Sequence, residues 1–310
     1  MVNFLFIVQS NVLCAIFCPY PSIFNRTFFH HLVKIIKNYD HPKKSLYYQK
    51  GKTMLKKEIQ DNIVIAQLSD GASNAVDLET LRELKKIIDE VNGNDELKGL
   101  VLTGEGRFFS SGFSLPMFVG FKSDDEVVSF FDEEEAILVD YFTCKKPVIC
   151  AINGHCAAMG MILSMASDYR IVKNHPKIKL GMSEIKIGLG LSIAQSAVVR
   201  FGLDSDRTYR DVMYFGDMVG VEKALEMKMV DEVVEAENLI SRAKELISLW
   251  IDTPNRPFIQ IKEGLKSDAA DRINHNLANV NWQEKMASTL MSQEVKDTLS
   301  FVQAVMEQKK

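Results

Sequence analysis

One stretch constrains the fold more than any other: Lys146-Pro-Val-Ile-Cys-Ala-Ile-Asn-Gly-His-Cys-Ala-Ala-Met-Gly-Met161. Residues 148–152 are an unbroken apolar run of strand length, and Asn153-Gly154 predicts a sharp turn after it. Ala157, Ala158 and Gly160 are small and lead into an apolar helix over 161–166. A buried strand that turns through small residues into a helix leaves the first backbone N–H groups of that helix without helical acceptors. The helix dipole adds partial positive charge at the same point. Such a corner is built to hold a negative oxygen, and it commits the chain to strands buried beneath helices.

The flanking sequence agrees. Residues 63–68 read as a strand, and Asp77 caps a helix with a one-sided stripe of Leu78, Leu81, Leu84, Ile87, Ile88 and Val91, ended by Gly93 and Asn94. A second strand follows over 97–102, then a turn over 103–106. Strand, helix, strand is the order of an α/β fold. Residues 107–115 form a loop centred on Gly112, and an acidic amphipathic helix runs over 124–142, its acid run 132–135 reading as a solvated face. Short strands are expected at 169–172 and 178–180, then a turn over 181–190 that carries one acid, Glu184. Helices follow at about 192–201, 205–214 and 220–228, a strand at 229–234, and a helix to about Trp250. Pro254 and Pro257 break the chain, and the remainder is helical.

Charge divides the chain at about residue 53. The first 53 residues hold seven basic side chains against one acid, whereas the rest carries a net charge of −10. A segment that acidic is a poor nucleic-acid binder. The head is apolar over its first twenty residues, but Asn3, Gln9, Ser10 and Asn11 interrupt it. It lacks the pattern of a signal peptide, and no stable membrane insertion is expected. Met54 opens an ordinary cytosolic start, so residues 1–53 are expected to lie outside the fold as upstream sequence. A membrane-surface or targeting segment is the alternative. The expected organisation is head 1–53, core 54–250 and helical region 251–310, in the cytoplasm. The five cysteines lack metal spacing and suit buried free thiols. No metal-ligand cluster and no Ser/His/Asp triad order appears.

From about residue 56 onward, three motifs in order resemble the crotonase (enoyl-CoA hydratase/isomerase) superfamily. They are Phe109-Ser-Ser-Gly-Phe-Ser-Leu115, the opening stretch from Lys146, and Asp168-Tyr-Arg-Ile171 followed by Gly181-Met-Ser-Glu184. The resemblance implies an α/β spiral of ββα units and a helical C-terminal region that builds a homotrimer or hexamer. It implies acyl-CoA thioester substrates, with no cofactor beyond the substrate itself. It places two oxyanion-hole donors on the backbone N–H groups of Phe113 and Met159, with Ser110, Ser111, Gly112, Gly160 and Ile162 lining the substrate. Two positions depart from the family pattern: Ser114 where an acid is usual, and Met159 where glycine is frequent.

The family's hydratases use two glutamates to activate water. Here the first of those positions is Ile162, which has no group to orient water or accept a proton. The second is Glu184. One carboxylate suffices to move a proton from C2 to C4, so the motifs look closer to the mitochondrial-type Δ3,Δ2-enoyl-CoA isomerases. Met182, Ile185 and Ile162 are expected to raise the Glu184 pKa. His155, Asp168 and Arg170 are expected to be structural. The alternatives are a hydratase, lyase or hydrolase of the same fold, or a binding protein that has lost its chemistry.

Overall fold

The computed structural model describes residues 54–307, so the expectations for the head lie outside the described residues. Strands β1 (Leu55–Gln60) and β2 (Ile63–Leu68) form a hairpin, followed by α1 (Leu78–Gly93), β3 (Gly99–Gly104), β4 (Phe108–Ser110) and α2 (Leu115–Gly120). Helix α3 (Asp124–Phe142) leads to β5 (Val148–Ile152), β6 (His155–Ala157), α4 (Met159–Ala166), β7 (Tyr169–Lys173) and β8 (Leu180–Gly181). A 3-10 turn, Glu184–Ile187, precedes α5 (Ile193–Gly202), α6 (Asp206–Phe215), α7 (Val221–Glu226), β9 (Glu232–Val234) and α8 (Leu239–Ile251). The chain ends in α9 (Phe258–Asn279), α10 (Gln283–Met291) and α11 (Gln293–Glu307).

Six strands form one sheet in the order β1-β2-β3-β5-β7-β9, and a second sheet has the order β4-β6-β8. Among the strand pairs of the described residues, only β1–β2 is antiparallel. Its two-residue turn, Asp61 and Asn62, has positive φ at both positions, as a hairpin turn of this length favours. Strand side chains alternate between faces, so each central strand feeds two cores. Val64, Leu100, Leu102, Val148, Cys150 and Ile152 pack in the core that also takes in α1, α3 and α4. Ile63, Ile65, Val101, Ile149, Ala151 and Ile171 pack in a second core with α8. This two-sided burial explains why the parallel strands read as continuous apolar runs. The Asp77 carboxylate accepts from the Thr80 N–H at 2.8 Å and starts α1 as expected.

The structure corrects several readings. Strands β1, β4 and β6 do not signal themselves, β1 because it is mostly polar and β4 and β6 because they are three residues long. Strand β3 begins two residues later than 97 and absorbs Thr103 and Gly104. The acid run is not a uniformly solvated face: Asp132 is exposed, but Glu134 and Glu135 are buried. Glu135 accepts from the Ser192 hydroxyl and, at 2.8 Å, from the Ala194 N–H, so it caps α5 from outside. Glu134 accepts from the Gln195 amide at 3.1 Å, and burial beside Glu135 pushes its pKa well above the carboxylate range.

The C-terminal helices fold back onto their own chain. Helix α10 packs on α3, and α11 packs on α2 and the Glu184 turn. Lys296 donates to the Phe121 carbonyl at 3.0 Å. Helix α9 is tied in by two buried lysines one turn apart. Lys262 lies 2.5 Å and Lys266 2.8 Å from the two oxygens of Asp168. Lys266 also donates to the Phe142 and Ala166 carbonyls at 2.9 and 3.2 Å, the last residues of α3 and α4, where the helix dipoles favour a cation. Burial pulls the Lys266 pKa down to about 8 despite the attraction of Asp168. Lys266→Met keeps the stem but strips both carbonyls of their donor. A buried hydrogen bond left unmade costs about 1–3 kcal/mol, so a loss of about 2 kcal/mol in urea unfolding is expected; an unchanged midpoint would show the stitch to be inert. Asp168 and Arg170 are thus structural, as expected: Arg170 pairs with both oxygens of Asp231 at 2.8 and 2.9 Å.

Candidate active site

The three strands of the small sheet run parallel and end side by side. Strand β4 leads to Phe113, β6 to Met159 and β8 to Glu184. Three predicted functional positions far apart in sequence therefore converge because one sheet delivers them together.

Phe113 is held by its neighbours. Val76 donates to the Gly112 carbonyl and accepts from the Ser114 N–H, both at 2.8 Å. In an extended chain successive groups alternate in direction, so the Phe113 N–H faces away from Val76. Ser111 is fixed by the Ser73 carbonyl, which accepts its N–H at 2.9 Å, and by the Ser73 hydroxyl at 3.1 Å. Ser110 is fully buried, and its hydroxyl accepts from the Gly112 N–H at 3.1 Å. Ser110 and Ser111 thus shape the loop through their own side chains.

Met159 is the first residue of α4, where the N–H has no helical acceptor. Ala158, just before it, has φ 50° and ψ −122°, a conformation rare outside glycine that costs on the order of 1–3 kcal/mol. Its N–H is fixed by the Gly181 carbonyl at 3.2 Å. Gly112 has φ +104°, and a Cβ there would stand 2.6 Å from the Ala158 Cβ and 3.4 Å from the Met159 nitrogen. The two loops meet so closely that only glycine fits. Gly160 is constrained in the same way, since a Cβ there would meet the Ser110 Cβ at 2.8 Å. Among the described residues, neither the Phe113 nor the Met159 N–H has a hydrogen-bond acceptor. Two unspent backbone donors, one in the half-buried loop at Phe113 and one at the buried helix start at Met159, can stabilise an oxyanion.

Glu184 opens the 3-10 turn and is 7% exposed. Its Oε2 has no hydrogen-bond partner among the described residues. Burial raises its pKa from 4.5 to about 7, against a small opposing pull from its own N–H. Ile185 is half exposed, so the expected contribution of that side chain to the shift is smaller than the sequence implies. Met182 and Ile162 are buried. Ile162, one turn into α4, brings no polar atom to the place where a second acid would stand. His155 packs as expected: its Nδ1 accepts from the Lys179 N–H at 3.1 Å and its ring tilts against Phe108.

The supports supplied by Ser73, Val76 and Gln195 were not legible, because each acts through backbone geometry or across helices. Asn74 left a trace: it adopts positive φ, a conformation to which asparagine is suited. Its amide donates to the Phe108 carbonyl at 2.8 Å. Two cavities, of about 480 and 280 Å³, flank Trp282, and neither is lined by Phe113, Met159 or Glu184. Among the described residues there is no cluster of side chains able to hold a metal, and no helix is long and apolar enough to cross a membrane.

Comparison with known proteins bears on this geometry. The mitochondrial enoyl-CoA delta isomerase 1 of Mus musculus is 22% identical over 212 residues, covering 68% of this chain and 73% of that protein. The fatty acid oxidation complex subunit alpha of Shewanella frigidimarina is 28% identical over 167 residues, 53% of this chain but 23% of that longer protein. The crystal structure of human mitochondrial delta3-delta2-enoyl-CoA isomerase superposes with a TM-score of 0.76 at 20% identity, covering 83% of this chain and 99% of that one. A probable enoyl-CoA hydratase from Mycobacterium tuberculosis gives a TM-score of 0.68 at 23% identity, covering 76% and 98%. At these identities the structures establish the fold, which is the crotonase fold. A family model described as enoyl-CoA hydratase/isomerase matches residues 58–310, and this chain belongs to that family.

Proposed function

We propose that the chain is an isomerase that shifts the double bond of a 3-enoyl-CoA to C2. The observation that carries this reading is the buried Glu184 carboxylate, which follows the strand running alongside those that lead to the two unspent backbone donors, with Ile162 where a second acid would be needed. The thioester oxygen sits between the N–H groups of Phe113 and Met159. The Glu184 carboxylate takes a proton from C2, and the electron pair moves into a dienolate held on that oxygen. The same carboxyl returns the proton to C4, leaving the double bond conjugated with the carbonyl. Nothing is consumed, and no cofactor is needed beyond the thioester. The proposed location is the cytoplasm, whose reducing conditions suit the buried thiols Cys144, Cys150 and Cys156. The proposed assembly is a homotrimer or hexamer, readable by sedimentation.

A proton shuttle works best near the operating pH. Glu184 must start ionised, so kcat/KM is expected to rise tenfold per pH unit below about 7 and level off above it. The assay is formation of the conjugated 2-enoyl thioester from 3-enoyl-CoA, followed by ultraviolet absorbance across pH 5 to 9. Rapid hydration of 2-enoyl-CoA with no turnover of the 3-enoyl isomer would make the protein a hydratase instead.

A further inference from the structure

Between α5, α9 and α10 lies the larger of the two cavities beside Trp282, with a volume of about 480 Å³. That size suits a small molecule. Its lining holds three cations, Arg200, Arg272 and Lys285, and no acid. Such a lining stands out in a chain whose net charge beyond residue 53 is −10. The smaller cavity borders the same tryptophan and has the opposite character, with Asp132, Glu135 and Asp140 and no cation. The two cavities therefore differ in the charge they favour.

The larger cavity is rich in donors and lacks an acceptor. Arg200 is spent on Asp206, whose two oxygens it meets at 2.7 and 2.8 Å. The side chains of Arg272 on α9 and Lys285 on α10 have no partner among the described residues. Trp282 is 8% exposed, and its indole N–H has no acceptor among the described residues. The other buried side-chain atoms without a partner are carboxyl oxygens, so Trp282 holds the one orphaned buried donor among the described side chains. An indole N–H can only donate, and leaving it unpaired in a buried place is costly. An oxygen placed in the cavity that its ring borders would supply the missing acceptor. Half-buried Leu191, Ile193 and Met286 give the same cavity an apolar flank. We infer that this cavity is a binding site for a small organic oxyanion, a carboxylate or phosphate monoester on an apolar body, separate from the thioester site. The Arg272 guanidinium offers paired N–H groups that match two oxygens of such a group, and Lys285 adds a point charge. Phe113, Met159 and Glu184 do not line the cavity, so the inference stands apart from the isomerase reading.

Calorimetry with the full chain tests the site, with phenyl phosphate and benzoate as anionic probes and phenol as their neutral counterpart. Saturable binding of at least one anion is expected, and none of phenol. The tighter of the two anions tells a phosphate ligand from a carboxylate ligand. Arg272→Gln and Lys285→Gln are each expected to weaken binding by about tenfold, the lower end for a lost hydrogen bond to a charged group. Both side chains are exposed, so the variants are expected to fold. Trp282 fluorescence reports from the cavity itself in a Trp250→Phe background, where it is the sole tryptophan. It is expected to change along the same saturation curve. Saturating coenzyme A is expected to leave the affinity of the probe unchanged. Failure of both anions to bind, equal binding of phenol, an affinity unmoved in the double variant of Arg272 and Lys285, or displacement by coenzyme A overturns the inference.

Discussion

Glu184→Gln is expected to lower kcat for 3-enoyl-CoA by about a thousandfold, in the middle of the range for removing a general acid–base group. The same variant should be more stable than the wild type at pH 8. Proton linkage fixes the sign of that effect. The folded-state pKa of Glu184 is raised from 4.5 to about 7, so between those values the native state holds a proton that the unfolded chain has lost. Stability then falls as pH rises through that window, and above about 7 the full penalty is present. A shift of this size corresponds to about 3 kcal/mol as an upper figure. Glutamine carries no titrating group and escapes the penalty. Thermal unfolding of both proteins at pH 4.5 and pH 8 reads the difference: near parity at the lower pH, and a gain for the variant at the higher one. A variant that retains wild-type turnover would remove Glu184 from the chemistry. A variant equally inactive but no more stable at pH 8 would show that the carboxyl is not strained by burial.

The second large effect is expected at a position with no side chain. Backbone donors cannot be deleted by substitution, but their spacing can be spoiled. Gly112→Ala places a Cβ 2.6 Å from the Ala158 Cβ, at a φ of +104° that alanine resists. The loops carrying Phe113 and Met159 must then separate. Loss of one oxyanion donor costs about a hundredfold to a thousandfold in kcat, and Gly112→Ala is expected to fall in that range. The double variant Gly112→Ala with Ala158→Gly removes the clash and relieves the positive φ at residue 158. It should recover some of the loss, although the strain at residue 112 persists. Stopped-flow measurement of a single turnover isolates the chemical step. Full activity in Gly112→Ala would mean that the two N–H groups do not act on the substrate together.

Glu134 and Glu135 show both what the sequence can reveal and how it misleads. A run of four acids reads as solvent-facing by composition. Yet Val127, Phe130, Phe131, Glu134, Leu138 and Tyr141 recur at helical spacing, and that spacing puts residue 134 on the buried stripe of α3. Periodicity was the better guide than charge. The corner at Lys146 to Met161 was legible because its residues are constrained by burial and size. Glu184 was visible as the sole acid in its turn, through a family resemblance rather than through pattern. Other contacts were not legible: Val76 holds the Phe113 loop through its backbone, which any residue would supply, and Ser192 meets Glu135 across fifty-seven positions of sequence. Strands β4 and β6, three residues each, are too short for alternation to register.

The lysine stitch on α9 bears on how this molecule can be cut or assembled. Asp168 sits at the root of β7, and its two cations come from a helix ninety-four or more residues later. A fragment ending near Asn255 would leave that carboxylate buried without a countercharge, and the ends of α3 and α4 without their shared donor. The C-terminal helices are thus no detachable accessory. Removal of α9 is therefore expected to destabilise the part of the chain that carries Phe113, Met159 and Glu184.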